Sequence, residues 1–168
     1  QIGGDPTRLS ALLSGNIDAS VFNPPLYKRA VEAGMRVLAN IEEMGFPVQA
    51  SALVSTEQFV RKNPDFTRRA IKSIIESIHL IKTNPELTKR AIRKYMRFKD
   101  DRDTDEAYQI MRDVTPRKPY PTVEGMKTVL DELALKVPAA RTAQPREFMD
   151  TRFIEELDRS GFIDGLYK

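Results

Sequence analysis

The sequence predicts an α/β fold, rich in helix, with a largely parallel sheet confined to its first third. Three observations predict it. Up to about Ser55, short apolar runs of strand type alternate with helix signals. Beyond that point, apolar residues recur almost only at helical spacing. The composition, 40% hydrophobic and 30% charged over 168 residues, is that of a globular domain with a real core.

Taken in order, Asp5-Pro6 reads as a helix start, with Asp5 able to accept from an orphan amide and Pro6 at a position that needs no donor. Leu9, Leu12 and Leu13 share one face of that helix and Gly15 stops it. Ile17 to Phe22 reads as a strand covered on both sides, ended by Asn23-Pro24-Pro25, where neither proline can donate a backbone hydrogen bond. Pro25 can open the next helix, whose inner stripe is Leu26, Ala30 and Val31 and whose cap is Gly34. Met35 to Ala39 and Gln49 to Ser55 read as two further strands.

The remainder is read as helix. Asn63-Pro64 and Asn84-Pro85 repeat the start signal. Phe66, Ala70, Ile74, Ile75, Ile78 and Ile81 predict one fully buried face on a long helix. Leu87, Ala91, Ile92 and Tyr95 mark the next helix, and Ala107, Ile110, Met111 and Val114 another. An extended Pro-Arg-Lys-Pro-Tyr-Pro connector follows. Thr122 caps a helix carrying Met126, Val129, Leu130 and Leu133, and a last helix runs from about Asp150 to Arg159, ending at Gly161.

Three short strands are few for so many amphipathic helices, since sheets average about five or six strands. The expectation is therefore that further strands precede Gln1 and that this is the C-terminal part of a larger α/β protein; the competing account is a small helical domain with a complete three-stranded sheet. On the first account the chain by itself exposes apolar surface, and self-associates or belongs to a longer ordered protein. No apolar run approaches the roughly 18 to 20 residues that span a bilayer. A start of Gln-Ile-Gly-Gly without Met points to processing or truncation. Without cysteine there is no disulfide, thiol nucleophile or thiolate metal site.

The order of several elements carries a resemblance. "GGDPTRLSALLSGNIDASVFNPP", "GMRVLANIEEMGFPVQASALVSTEQFVRKNPDF", "KTNPE", "PYPTVEGMKTVLDEL" and "RFIEELDRSGFIDGLY" together resemble the C-terminal half of ABC-transporter substrate-binding proteins. The branch is the one that includes nitrate, sulfonate, taurine and thiamine-pyrimidine binders, and the likeness spans essentially the whole chain. It implies a two-lobed, type II periplasmic-binding-protein-like fold whose N-terminal half is absent here. Residues 1–48 would be the second half of lobe two, and residues 49–168 a hinge strand with C-terminal helices packing on lobe one. It also implies a periplasmic address, or an extracellular lipoprotein anchored to the membrane, with a small-molecule ligand and a membrane permease as partners.

Under that resemblance the Asn-Pro-Pro stop forms a rigid rim of a ligand cleft, because ligands of open α/β sheets gather beyond the carboxyl ends of strands. The candidate ligand-binding residues are Asp5, Phe22, Asn23, Pro24, Pro25, Tyr27, Gln49 and Ser51. Asn23 supplies donor and acceptor, Phe22 and Tyr27 an aromatic face, and Gln49 and Ser51 reach in from the hinge side. Each has a competing reading as a turn or packing residue. Asp18, early in its strand, is assigned a structural role.

Other chemistry is weaker. His79, the only histidine, sits inside a helix beside Ile78 and is read as a packing residue. Asp101, Asp103 and Asp105 have calcium-loop spacing, but Glu106 stands where the turn needs glycine and Arg112 where the bidentate acid belongs. The net charge is +3, and the basic clusters at 61–72 and 89–97 interleave with apolar stripes as solvated faces do. No cofactor, metal, catalytic residue or nucleic-acid partner is expected. The leading function is a non-enzymatic solute receptor of an ABC importer for a small organic or anionic ligand. The alternatives are an enzyme of thiamine-pyrimidine precursor synthesis on the same fold, and a basic helical nucleic-acid-binding module.

Overall fold

The computed structural model describes every residue except Gln1, Pro24, Pro25, Ile41, Glu42, Phe46, Val48, Ala50 and Lys99. Its helices are α1 (Asp5–Leu13), α2 (Leu26–Glu32), α3 (Glu57–Lys62), α4 (Pro64–Thr83), α5 (Pro85–Met96), α6 (Asp101–Val114), α7 (Val123–Leu133), α8 (Arg152–Arg159) and α9 (Phe162–Gly165). Two short 3-10 turns, Pro138–Arg141 and Pro145–Phe148, follow α7.

No strand occurs among the described residues, so the predicted α/β fold, and with it the type II periplasmic-binding-protein-like architecture, is overturned. All three segments read as strands, Ile17 to Phe22, Met35 to Ala39 and Gln49 to Ser55, lack regular structure wherever they are described. The physical reason is that β-branched residues favour a strand only when a neighbouring strand completes the ladder, whereas a helix closes its hydrogen bonds within itself. Ile17, Phe22 and Met35 pack against helices instead. Leu38 and Val54 find no cover and stand 83% and 84% exposed.

The chain forms two compact units. The first comprises residues 1–44 and 84–114, the second residues 45–83 and 115–168. In the first unit, Leu9 and Leu12 of α1 bury against Ala30 of α2, with Ile17, Phe22, Leu26 and Met35 around them. Both helices end as the sequence predicts. At Gly15 (φ 71) the Asn16 amide bonds to the Ala11 carbonyl and the Gly15 amide to that of Leu12; Gly34 (φ 91) repeats this with Met35 to Ala30 and Gly34 to Val31. Both glycines supply the left-handed residue that this helix ending needs. A second core in this unit joins α5 to α6 through Ile92, Ala107 and Tyr108, with Phe98 and Met111. Leu87, Tyr95 and Val114, read as inward-facing, are exposed.

In the second unit, Ile75 of α4 packs with Ile154 and Leu157 of α8 and Ile163 of α9, and Ile71, Tyr120, Phe162 and Leu166 close the cluster. The stripe of α4 is split: Ile75 and Ile78 are buried, while Phe66 and Ile74 face solvent. Two apolar ridges run along this helix, and only the one through Ile71, Ile75 and Ile78 turns inward.

The start signals differ in kind. Asn84 caps α5, its Oδ1 accepting from the Leu87 amide at 3.1 Å, and Thr122 caps α7 by accepting from the Gly125 amide at 3.1 Å. Asn63 instead donates from Nδ2 to the Phe59 carbonyl at 3.0 Å, closing α3 rather than opening α4. Gly4, not Asp5, holds the cap position of α1. Buried Thr67, Thr88 and Thr104 each donate to the carbonyl four residues earlier, at Asn63, Asn84 and Asp100, so none strands a hydroxyl in the interior.

Candidate polar corner at the start of α1

Asp5 is free for another task because it does not cap its helix. Its Oδ2 accepts from both the backbone amide (2.9 Å) and the side-chain Nδ2 (3.1 Å) of Asn23. The Asn23 carbonyl in turn accepts from the Leu26 amide at 3.0 Å, at the start of α2. Arg8, one turn along α1, completes the cluster. Its Nη2 donates to Asp5 Oδ1 and to the Val21 carbonyl at 3.0 Å, and its Nη1 to the Gly3 carbonyl at 2.9 Å. Side chains of α1 therefore do for residues 21–23 what a neighbouring strand was expected to do.

The Asn23 amide is the largest influence holding the Asp5 carboxyl below its ordinary value, helped by the Asn23 side chain and Arg8 and opposed by partial burial. A carboxyl depressed in the folded state contributes stability that is present above its unfolded value and is lost as pH falls through the folded one. The stability difference between the parent chain and Asp5→Asn should therefore be constant above about pH 5 and shrink as pH falls below about 4. Urea melts across that window check it; a difference that does not shrink on acidification would show that the carboxylate charge contributes nothing.

Comparison with known proteins finds no matching family model, no matching curated protein and no matching solved structure. The chemistry of the chain thus rests on its own residues. Of the eight candidates, Asp5 and Asn23 bond directly. Phe22 packs its ring on the α1–α2 core, and Tyr27 is half-buried on α2. Pro24 and Pro25 lie outside the described residues. Gln49 and Ser51 belong to the other unit, where Gln49 Nε2 donates to the Ser51 carbonyl at 2.9 Å and Gln49 Oε1 accepts from the Thr122 amide at 3.3 Å. Arg8 was missed by the sequence reading; its place one helical turn after Asp5 was the available signal.

The corner presents binding groups, not a nucleophile and base. A guanidinium carries five N–H donors, and among the described residues three of those on Arg8 are used, by Gly3, Asp5 and Val21. Among the described residues no group donates to Asn23 Oδ1.

Between α2 and α6 the charges are spent on one another. A crevice of about 390 Å³ between α2 and α6 is lined by Lys28, Arg29, Glu32, Arg102, Asp103 and Glu106. Lys28 pairs with Glu106, Arg29 with Asp103 and Arg102 with Glu32. Asp101 and Asp105, the outer acids of the calcium-like spacing, pair with Arg93 and Lys89 on a continuous helix. Among the described residues no group of acids and histidines is placed to hold a metal ion. His79 is half-buried, edge-on to the Tyr167 ring at 4.9 Å, with the Arg117 guanidinium 4.5 Å from the centre of that ring. Burial raises the Tyr167 hydroxyl above its ordinary value, and Arg117 opposes the shift. Among the described residues no helix is long and apolar enough to cross a membrane.

Proposed function

We propose that the chain is part of a non-enzymatic solute receptor that captures a small polar or anionic molecule and delivers it to the permease of an ABC importer. One observation carries the reading: the Asp5–Arg8–Asn23 corner is held by its own hydrogen bonds and, among the described residues, still has guanidinium donors and a carboxamide acceptor to spare. Such a preorganised set suits an oxyanion or a carboxylate, which a remaining guanidinium N–H can meet with a charge-assisted hydrogen bond. The order of the sequence elements supports the importer context. Phe22, next to Asn23 in the chain, packs on the α1–α2 core.

Calorimetry with nitrate, taurine, an alkyl sulfonate and an aminopyrimidine tests the proposal. Binding of one of these is expected, and Asn23→Ala should weaken it by about 1 to 3 kcal/mol by leaving a polar group unpaired, with little change in the ligand-free melting temperature. Unchanged affinity together with a lowered ligand-free melting temperature would show that Asn23 serves the turn alone. Absence of binding across the panel would refute the receptor reading.

A further inference from the structure

The outward ridge of α4 has a pattern that its inward ridge does not. Phe66, Ala70, Ser73, Ile74, Ser77 and Ile81 fall within an arc of about 100° and include no charged residue. Phe66 is 56% and Ile74 39% exposed. Phe59 of α3, also exposed, meets Phe66 edge-on at 5.7 Å and broadens the apolar end of this face. The Ser77 hydroxyl donates back to the Ser73 carbonyl at 2.7 Å, so it makes no demand on a partner. A face free of charge on a 20-residue helix resembles the packing side of a helix pair, not a solvated surface.

The order of residues along this face is symmetric about the midpoint between Ser73 and Ile74. Phe66 and Ile81 are equidistant from it, as are Ala70 and Ser77. A two-fold axis at that point lays a second copy antiparallel, with Phe66 over Ile81 of the other copy, Ala70 over Ser77 and Ile74 over Ser73. Small residues in the middle allow the close approach, and bulky ones fill the ends.

The flank agrees in charge. Arg69 and Glu76 are both exposed, lie on the same side of the ridge, and make no ion pair among the described residues. In an antiparallel pair with this axis each flank meets itself reversed, which brings Arg69 of one copy within about two residues' rise, ~3 Å along the axis, of Glu76 of the other. Two such pairs form, one on each side of the axis. A parallel arrangement would put the two copies' Arg69–Glu76 flanks on opposite sides of the interface, where they cannot pair.

We infer that α4 is a homodimerisation helix, pairing antiparallel with α4 of a second copy of this chain through the Phe66–Ile81 ridge. The inference is independent of the solute reading, which concerns α1 and residues 21–23. One helix pair buries less than a standard interface, so dissociation is expected on the order of 10 μM. Sedimentation velocity of the chain from about 1 to about 200 μM should show a reversible monomer–dimer equilibrium. Arg69→Glu, an exposed change that leaves the helix intact by circular dichroism, should weaken the dimer roughly tenfold or more, because it opposes like charges twice. Adding Glu76→Arg to that variant should restore dimerisation by reversing both pairs. A monomer at every concentration overturns the inference and leaves the face to a different partner. A dimer indifferent to Arg69→Glu, or one that the double exchange fails to restore, also overturns it.

Discussion

Truncation of Ile163 to alanine should lower the unfolding free energy by about 3 kcal/mol, the largest single effect expected in the chain. Ile163 has no exposed surface, and it is the residue of α9 that seats against Ile75, Ile154 and Leu157. Removing its outer carbons forfeits their transfer free energy and leaves a cavity among three branched side chains that are themselves held by helices. Collapse into that space would require α9 to shift, and the adjoining Tyr120–Asp158 hydrogen bond (2.9 Å) and Lys118–Asp158 ion pair (2.7 Å) tie the wall of the cluster down. Ile163→Val, which removes one carbon, should cost only about 1 kcal/mol. Guanidinium denaturation of both variants checks the pair. Equal and small losses would mean that α9 adjusts freely and that the cluster does not depend on it.

Arg29→Met should cost about 2 kcal/mol, although Arg29 is itself half-exposed. Its guanidinium pairs with Asp103, a residue only 5% exposed in the first turn of α6. Loss of the arginine leaves a buried carboxylate without its ion-pair partner, compensated in part by the dipole of its own helix. The methionine keeps most of the aliphatic volume, so the measured loss reports charge and hydrogen bonding, not packing. Asp103→Asn in the Arg29→Met background should recover part of the loss, since the buried charge is then gone. Denaturation of the two single variants and the double variant forms a thermodynamic cycle. A cycle without coupling would show that the two side chains meet but do not stabilise each other.

Local chemistry in the sequence anticipated much of the helical part. Asn84 and Thr122 cap because a short polar side chain before a helical run has an unbonded amide within reach. Gly15 and Gly34 end their helices because each ending demands a left-handed residue. Asn63 and Asp5 carry the same signal, but their side chains were claimed by the Phe59 carbonyl and by Asn23. For Asp5, that competition came from a residue 18 positions away, which no local rule can see. The candidate site was half legible for the same reason. Asn23 stood out as a turn residue before two prolines, whereas Arg8 became part of the corner only once residues 21–23 lay across α1. Gln49 was noticed as a polar residue, but its partner Thr122 is 73 positions distant.

By itself the sequence determined where several helices start or stop and that most of them are amphipathic, because capping, glycine endings and the 3.6-residue period act within a turn or two of chain. Tertiary structure alone decided what became of the β-branched runs and which of two apolar ridges on α4 turned inward. A strand is stabilised by hydrogen bonds to another segment, and an apolar ridge by whatever packs on it. Ile17, Phe22 and Met35 met α1 and α2, Leu38 and Val54 stayed exposed, and Ile75 met α8 and α9 while Phe66 and Ile74 did not. Spacing marks a residue as able to be buried; only its neighbours bury it.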